Sequence, residues 1–184
     1  METLRRPDGW HGDAVDLRIR AASLFLNLHV EACGPPTVDF FRAICMADAA
    51  LFAIVSTKDL VGKDEREKLH DNQLFALLQC LRNITAHREV WPSRTSYVWG
   101  EALGSDGREQ NDVDFFPLPF QIDEALADLA TTTTSGPGKR KAIELARQFM
   151  VPYVSNEKEP FYIRDILSDG IELVRSIQNG ATEK

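Results

Sequence analysis

The stretch Gln73–Val90, QLFALLQCLRNITAHREV, decides the fold that we expect for this chain of 184 residues. Its apolar side chains recur every three or four positions, which is the spacing of one face of an α-helix. At about 100° per residue, five of them share one stripe: Leu74, Leu77, Leu78, Leu81 and Ile84. The stretch therefore predicts a helix with one face in the core of its own chain.

A second stripe runs nearly opposite the first and consists of Ala76, Cys80, Asn83 and His87. Its first two members are small, so another helix can come close to this face. Asn83 and His87 lie one turn apart, which makes their side chains neighbours, and the long side chain of Arg82 can swing back toward them. We expect a two-fold-related copy to pack here, with Ala76 and Cys80 at the dimer interface.

The polar end of this helix predicts a site for an anion. When two copies meet at the second stripe, two sets of Arg82, Asn83 and His87 line one cleft, which suits a phosphodiester. Three arginines stand against one acidic residue from Arg82 to Arg94, although the whole chain has a net charge of −7. That net charge argues against a general nucleic-acid-binding surface and is compatible with a small basic site.

The sequence on both sides of this helix predicts further helices, so the expected fold class is all-α. The helix of the opening stretch is the third, and it begins between Asp64 and Asp71; Thr37 is the expected N-cap of the second. The other predicted helices are about Asp13–Cys33, Thr37–Ser56, Ile122–Leu129, Lys139–Val154 and Phe161–Gln178, the last ending at Gly180.

The segment of about 91–120 predicts an irregular or hairpin insertion after the third helix. It holds aromatic residues, glycines and prolines, and Ser96–Leu103 and Asp112–Phe116 are candidate strands around a turn signal. We therefore expect a single helical domain, 1–184, with a core of about 13–90 and 121–179.

Composition and short motifs limit the function classes. Apolar and charged fractions of 43% and 27% are typical of a soluble globular protein, and the apolar runs are short. We expect a cytoplasmic protein without a membrane span, and with reduced cysteines. His29 and Cys33 have the spacing of metal ligands but lack further partners, so we expect a buried pair and neither metal nor cofactor. Gly136–Lys139 lacks the spacing of a phosphate loop and is better explained as the start of a helix.

The set Arg82-Asn83-x-x-x-His87, near the end of a long helix in an all-α domain, resembles the HEPN superfamily (higher eukaryotes and prokaryotes nucleotide-binding domain). Active members of that family carry Arg and His separated by four to six residues, commonly with Asn, Asp or His directly after the Arg. The resemblance covers the helical core and implies a HEPN-like helical bundle. Glu89 departs from the nucleotidyltransferase-paired branch, in which Tyr stands two residues after the His.

The resemblance implies a metal-independent endoribonuclease that acts on RNA as a homodimer. The RNA 2′-OH attacks its own phosphate, which leaves a 2′,3′-cyclic phosphate and a 5′-OH. By the resemblance, His87 would be the general acid or base, Arg82 would hold the phosphate, and Asn83 would orient either of them. It also implies a toxin or a phage-defence effector, with an antitoxin or another protein as a partner.

Alternatives stay open for several of these residues. Arg88, Trp91 and Arg94 are candidates for substrate binding, but packing of Arg88 and anchoring of the insertion by the other two explain them as well. The polar set itself has a simpler explanation, in which it caps and pairs at the helix end. The alternative function is a non-catalytic HEPN-like dimer that binds RNA, a nucleotide or a protein partner.

Overall fold

The computed structural model describes residues 14–34, 38–87, 95–103, 109–117, 119–132, 136–155, 157–158 and 162–182. Within them the body of the chain is helical, which confirms the predicted all-α class for the body. The helices are α1 (Ala14–Cys33), α2 (Phe40–Ser56), α3 (Lys63–Asp71), α4 (Gln73–His87), α5 (Pro119–Thr132), α6 (Pro137–Val154) and α7 (Ile163–Thr182). A short 3₁₀ turn, Thr57–Asp59, follows α2.

Helices α1 and α2 pack side by side and are joined by a buried histidine. His29 of α1 donates from its Nδ1 to the carbonyl oxygen of Ala43 in α2, over 2.8 Å. The prediction that Thr37 caps α2 is wrong, because Asp39 is the N-cap: its Oδ1 accepts from the Arg42 backbone N–H over 3.0 Å. Helix α2 therefore begins later than expected, at Phe40.

Asn72 separates α3 from α4, where the sequence predicted a single third helix beginning between Asp64 and Asp71, so the separate helix α3 was not predicted. The Asn72 backbone is extended (φ −87°, ψ 128°), and its N–H donates to the Leu69 carbonyl oxygen at the end of α3. Its side-chain Oδ1 accepts from the Phe75 N–H over 3.1 Å and caps α4. One asparagine thus ends the first helix and begins the second.

Helix α4 is buried along both of its stripes. Leu77, Leu78 and Leu81 lie in the core, as the first stripe predicts. Ala76 and Cys80, on the opposite side, are each only 2% exposed within the single chain, where α6 packs against α4. The prediction that Ala76 and Cys80 form a dimer interface is therefore wrong, because a helix of the same chain already covers them.

Helices α4 and α6 run in opposite directions. Near the start of α4, the Gln73 side chain donates to Gln148 Oε1 over 3.2 Å, late in α6. Near the end of α4, Asn83 shares a cavity with Lys139, in the first turn of α6. This pairing brings the beginning of α6 to the polar end of α4.

Helix α7 closes the core against α2 and α4 at Gly170. A Cβ atom at Gly170 would lie 2.6 Å from Leu78 Cδ1 and 3.5 Å from two carbon atoms of Ile54, so the glycine permits this close approach. The prediction that Gly180 ends the last helix is wrong, since α7 continues to Thr182. Gly180 is exposed, and a Cβ atom there would lie more than 4 Å from any described neighbour.

A two-stranded hairpin lies between α4 and α5 in the chain. Strands β1 (Thr95–Leu103) and β2 (Glu109–Pro117) pair antiparallel, with Trp99 opposite Val113, and both candidate strands from the sequence fall within them. Strand β2 passes beside α7. Helix α5 begins at Pro119, earlier than the expected end of the insertion.

Among the described residues, one helical segment, Phe40–Asp59, is long and apolar enough to cross a membrane by length and composition alone. The segment is α2 with the 3₁₀ turn that follows it, and much of it is buried inside the chain. The core helix of a globular body has the same composition, so the burial accounts for its apolar residues. A cytoplasmic location stays a prediction.

Candidate functional site

Arg82 is held in place by one neighbour on its own helix and one on α2. Its Nη1 donates to Asn83 Oδ1 over 3.3 Å, which is the contact that a side chain swinging back along α4 would make. Its guanidinium carbon lies 5.0 Å from the ring centre of Phe52, a cation–π distance. The half-buried guanidinium is therefore oriented by a ring and an amide.

Further positive charge surrounds this arginine. Lys58 lies in the 3₁₀ turn after α2, and burial lowers the pKa of its ammonium while Asp59 raises it. The charges of three basic side chains lower that pKa further, namely Arg82, Arg66 and Lys139. These cations therefore act on one another, because like charges disfavour the protonated form of a neighbour.

Asp59 acts on Lys58 electrostatically, but among the described side chains no carboxylate pairs directly with the basic side chains. None of the ion pairs among the described side chains involves Lys58, Arg82 or Lys139. Lys139 also lies in the first turn of α6, where the helix dipole adds positive potential. Because the chain is acidic overall, this unpaired cluster of Lys58, Arg82 and Lys139, the basic cluster, favours an anionic ligand.

A cavity of about 140 Å³ opens beside Asn83, between α4, α5 and α6. Its lining combines apolar, amide and basic side chains: Gln79, Cys80, Asn83, Leu129, Lys139, Ala142 and Ile143. Burial raises the pKa of the Cys80 thiol to about 12, so this cysteine is a neutral part of the wall. The cavity and the basic cluster share Lys139.

The structure brings together two of the three predicted catalytic residues. Arg82 and Asn83 are in contact, and His87 is the last residue of α4, one helical turn after Asn83. The His87 side chain lies outside what the structure describes. The three substrate-binding candidates also lie outside the described residues: Arg88, Trp91 and Arg94.

The sequence did not predict three residues of this site, namely Phe52, Lys58 and Lys139. The first two belong to α2 and the turn after it, which carry no motif. Lys139 belongs to Gly136–Lys139, and the interpretation of that segment as the start of a helix is confirmed, since α6 begins at Pro137. The same segment nevertheless supplies a cation, Lys139, to the site, although it lacks the spacing of a phosphate loop.

The predicted metal-spaced pair has a structural explanation. Cys33 Sγ lies 3.8 Å from His29 Nε2, and both side chains are buried, so the expected buried pair is confirmed. No group of three His, Cys, Asp or Glu side chains among the described residues is placed to hold a metal ion. These two residues therefore serve the contact between α1 and α2.

Taken together, the arrangement can bind a phosphate or another oxyanion, orient it by hydrogen bonds, and hold a small planar or apolar group next to it. Comparison with protein-family models, characterised proteins and solved structures finds no match to this chain.

Proposed function

We propose that this chain is a metal-independent endoribonuclease with a HEPN-like helical bundle, in which Arg82, Asn83 and His87 carry the reaction. The observation that supports this proposal most is the Arg82 guanidinium, oriented by Phe52 and Asn83 and free of any carboxylate partner in the described residues. A guanidinium in that state is available for a phosphate, which it binds with two parallel hydrogen bonds.

The proposed reaction uses the substrate's own nucleophile. The RNA 2′-oxygen forms a bond to phosphorus as it gives up its proton, and the bond from phosphorus to the 5′-oxygen breaks as that oxygen gains a proton. The products are a 2′,3′-cyclic phosphate and a 5′-OH end. His87 moves one of the two protons, and Arg82 stabilises the charge on the phosphorane oxygens.

The basic cluster supports a polyanionic substrate over a single small anion. Arg82 and Lys139 both act electrostatically on Lys58, so a strand bound at Arg82 meets further positive charge nearby. This local field attracts RNA to an otherwise acidic protein, and it is screened by salt.

The proposed enzyme acts as a homodimer, and its interface needs a surface other than Ala76 and Cys80. Two exposed phenylalanines, Phe41 and Phe52, lie on one face of α2. The ring of Phe52 is the one that contacts the guanidinium of Arg82. A second copy that packs on this face lies next to the candidate site. In the biological setting that we propose, the enzyme is a toxin or a phage-defence effector, restrained by an antitoxin or another protein partner.

The alternative is a non-catalytic HEPN-like dimer that binds RNA, a nucleotide or a protein partner. The cavity beside Asn83 is the observation that favours it, because a lined cavity binds a ligand without any need for proton transfer. The two functions differ in one respect that an experiment can measure, which is whether the RNA chain is cut.

Incubation with RNA in EDTA tests the proposal. Purified protein is mixed with structured and unstructured RNA, and product ends are identified by mass spectrometry. We expect wild-type protein to give 2′,3′-cyclic phosphate ends, and His87→Ala or Arg82→Ala to slow cleavage by about 100-fold. Lys158→Ala is the matched control, since it removes one positive charge beyond the other end of α6. Intact RNA with wild-type protein, or equal cleavage by all the variants, would contradict the proposal.

A further inference from the structure

The cavity beside Asn83 shares that one residue with the proposed cleavage chemistry, and the rest of its lining is chemically mixed. At about 140 Å³ it exceeds the ~30 Å³ that one water molecule takes in the liquid, so it holds a group of several heavy atoms. Its walls come from α4, α5 and α6, and two of those helices also supply the basic cluster.

The lining of the cavity combines apolar residues from α5 and α6 with two amides from α4. Leu129, Ala142 and Ile143 provide the apolar surface. Gln79 and Asn83 each carry an amide donor and an amide acceptor, and Asn83 Oδ1 also accepts from Arg82. A nucleobase needs this combination, because its faces pack against apolar side chains while its edge exchanges hydrogen bonds in both directions.

The positively charged side chains around the cavity favour a base that carries a phosphate. Lys139 lies at the cavity itself, and Arg82 is bonded to Asn83 in the same lining. The described residues of the lining include no carboxylate, which argues against a divalent cation or a cationic ligand. A ligand with an uncharged planar part and an adjoining phosphate satisfies both the cavity and the basic side chains.

We propose that this cavity binds the nucleobase of a nucleotide whose phosphate lies against Lys139 and Arg82. The inference deepens the proposed function, on which it rests for the identity of the polymer, by adding a base-binding subsite next to the scissile phosphate. Gln79, Leu129 and Ala142 are then binding residues, and the cleaved strand is read at one base by hydrogen bonds to the two amides.

Binding of mononucleotides tests this subsite separately from cleavage. Calorimetric titration of the full chain with AMP and GMP is compared with ribose 5-phosphate and inorganic phosphate, none of which contains a bond that the proposed reaction cuts. We expect the better nucleotide to bind about tenfold more tightly than ribose 5-phosphate. Ala142→Leu fills the cavity and should remove that difference while leaving the affinity for ribose 5-phosphate unchanged.

A second variant keeps the test decisive should Ala142→Leu fail to fold. Gln79→Ala removes one half-buried amide without adding volume, and it should weaken nucleotide binding while sparing ribose 5-phosphate. Equal affinities for nucleotides and ribose 5-phosphate would overturn the subsite even where RNA is cleaved. Nucleotide binding that depends on Gln79 in a protein that leaves RNA intact would support the subsite and reject the nuclease.

Discussion

At the scale of single residues, the environment of Arg82 differs from that of an arginine with a structural ion pair. Arg147 forms an ion pair with Asp123, with Nε 3.0 Å from Oδ1, and the hydrogen bond to that carboxylate raises the pKa of Arg147. Arg82 instead rests on an aromatic ring and an amide, neither of which neutralises its charge. Arg82 therefore keeps a positive charge that a ligand can bind.

Asp48 on α2 gives a prediction about stability and pH. Its Oδ1 is buried and has no hydrogen-bond partner among the described residues, and burial raises the pKa of the carboxyl from 3.8 to about 6. The folded chain therefore holds this proton more tightly than the unfolded chain does. Stability falls as pH rises from about 4 to about 6, and the full cost is present at neutral pH.

Asp48→Asn should accordingly stabilise the fold at neutral pH. The shift corresponds to a ceiling of about 3 kcal/mol, and screening at a half-buried site reduces the expected gain to about 1–2 kcal/mol. Denaturant unfolding at about pH 7 and about pH 4 measures the gain, which should vanish at the lower pH. Asp169→Asn, an exposed change on α7, should have little effect at either pH. A gain from Asp48→Asn that is the same at both pH values would show that burial of the charge is not its cause.

At the scale of elements, periodicity predicted the helices well where one apolar face is continuous. Helix α1 begins within one residue of its predicted start and ends where the Gly-Pro-Pro sequence stops it. The buried residue of helix α3 is Leu69, so its sequence shows almost no repeat of apolar residues that would predict a helix. The break at Asn72 was missed because an asparagine between two helical segments looks the same whether it caps a helix or lies inside one.

The second stripe shows a different limit of sequence reasoning. Small residues at Ala76 and Cys80 correctly indicate that another helix comes close. A helical wheel contains no information on whether that helix belongs to the same chain or to a second copy. Here α6 supplies it, and because α6 lies far along the chain, no local pattern could identify it.

Two glycines in α7 have different surroundings, so the same substitution should have opposite effects on stability at the two positions. Gly170→Ala should destabilise the fold by about 1–2 kcal/mol, because the new methyl group would lie 2.6 Å from Leu78 Cδ1 and so force a fully buried side chain to shift within the core. Gly180→Ala should stabilise it by about 0.5–1 kcal/mol, since alanine favours the helix and no described atom lies within 4 Å of the new methyl group. Thermal melts of the two variants measure both effects, and a stabilising Gly170→Ala would contradict the close packing of α7 on α4.

At the scale of the whole molecule, the candidate site is assembled from three parts of the chain that are distant in sequence. Lys58 follows α2, Arg82 and Asn83 belong to α4, and Lys139 begins α6. The motif residues on α4 could be predicted because they are neighbours on one helix. Phe52 and the two lysines could not, since only the packing of α4 between α2 and α6 places them there.

The exposed face of α2 is where we expect a second copy to bind. Phe41 is 80% exposed and Phe52 is 37% exposed, and their spacing of eleven residues places them on one side of the helix, three turns apart. Two exposed aromatic side chains on one side of a helix give a second copy apolar area to bury. Because Arg82 lies over Phe52, a partner seated on this face reaches the candidate site.

Phe41→Glu should therefore convert the protein from dimer to monomer and, with the dimer, abolish RNA cleavage. The substitution leaves the core intact because Phe41 is largely exposed, so thermal stability of the monomer should change little. Val151→Glu on α6 is the matched control: Val151 is 60% exposed, and a charge there should leave both the dimer and cleavage unchanged. Sedimentation at tens of micromolar, together with the RNA assay in EDTA, measures both properties. A wild-type protein that sediments as a monomer, or a Phe41→Glu variant that remains dimeric, would rule out this face as the interface.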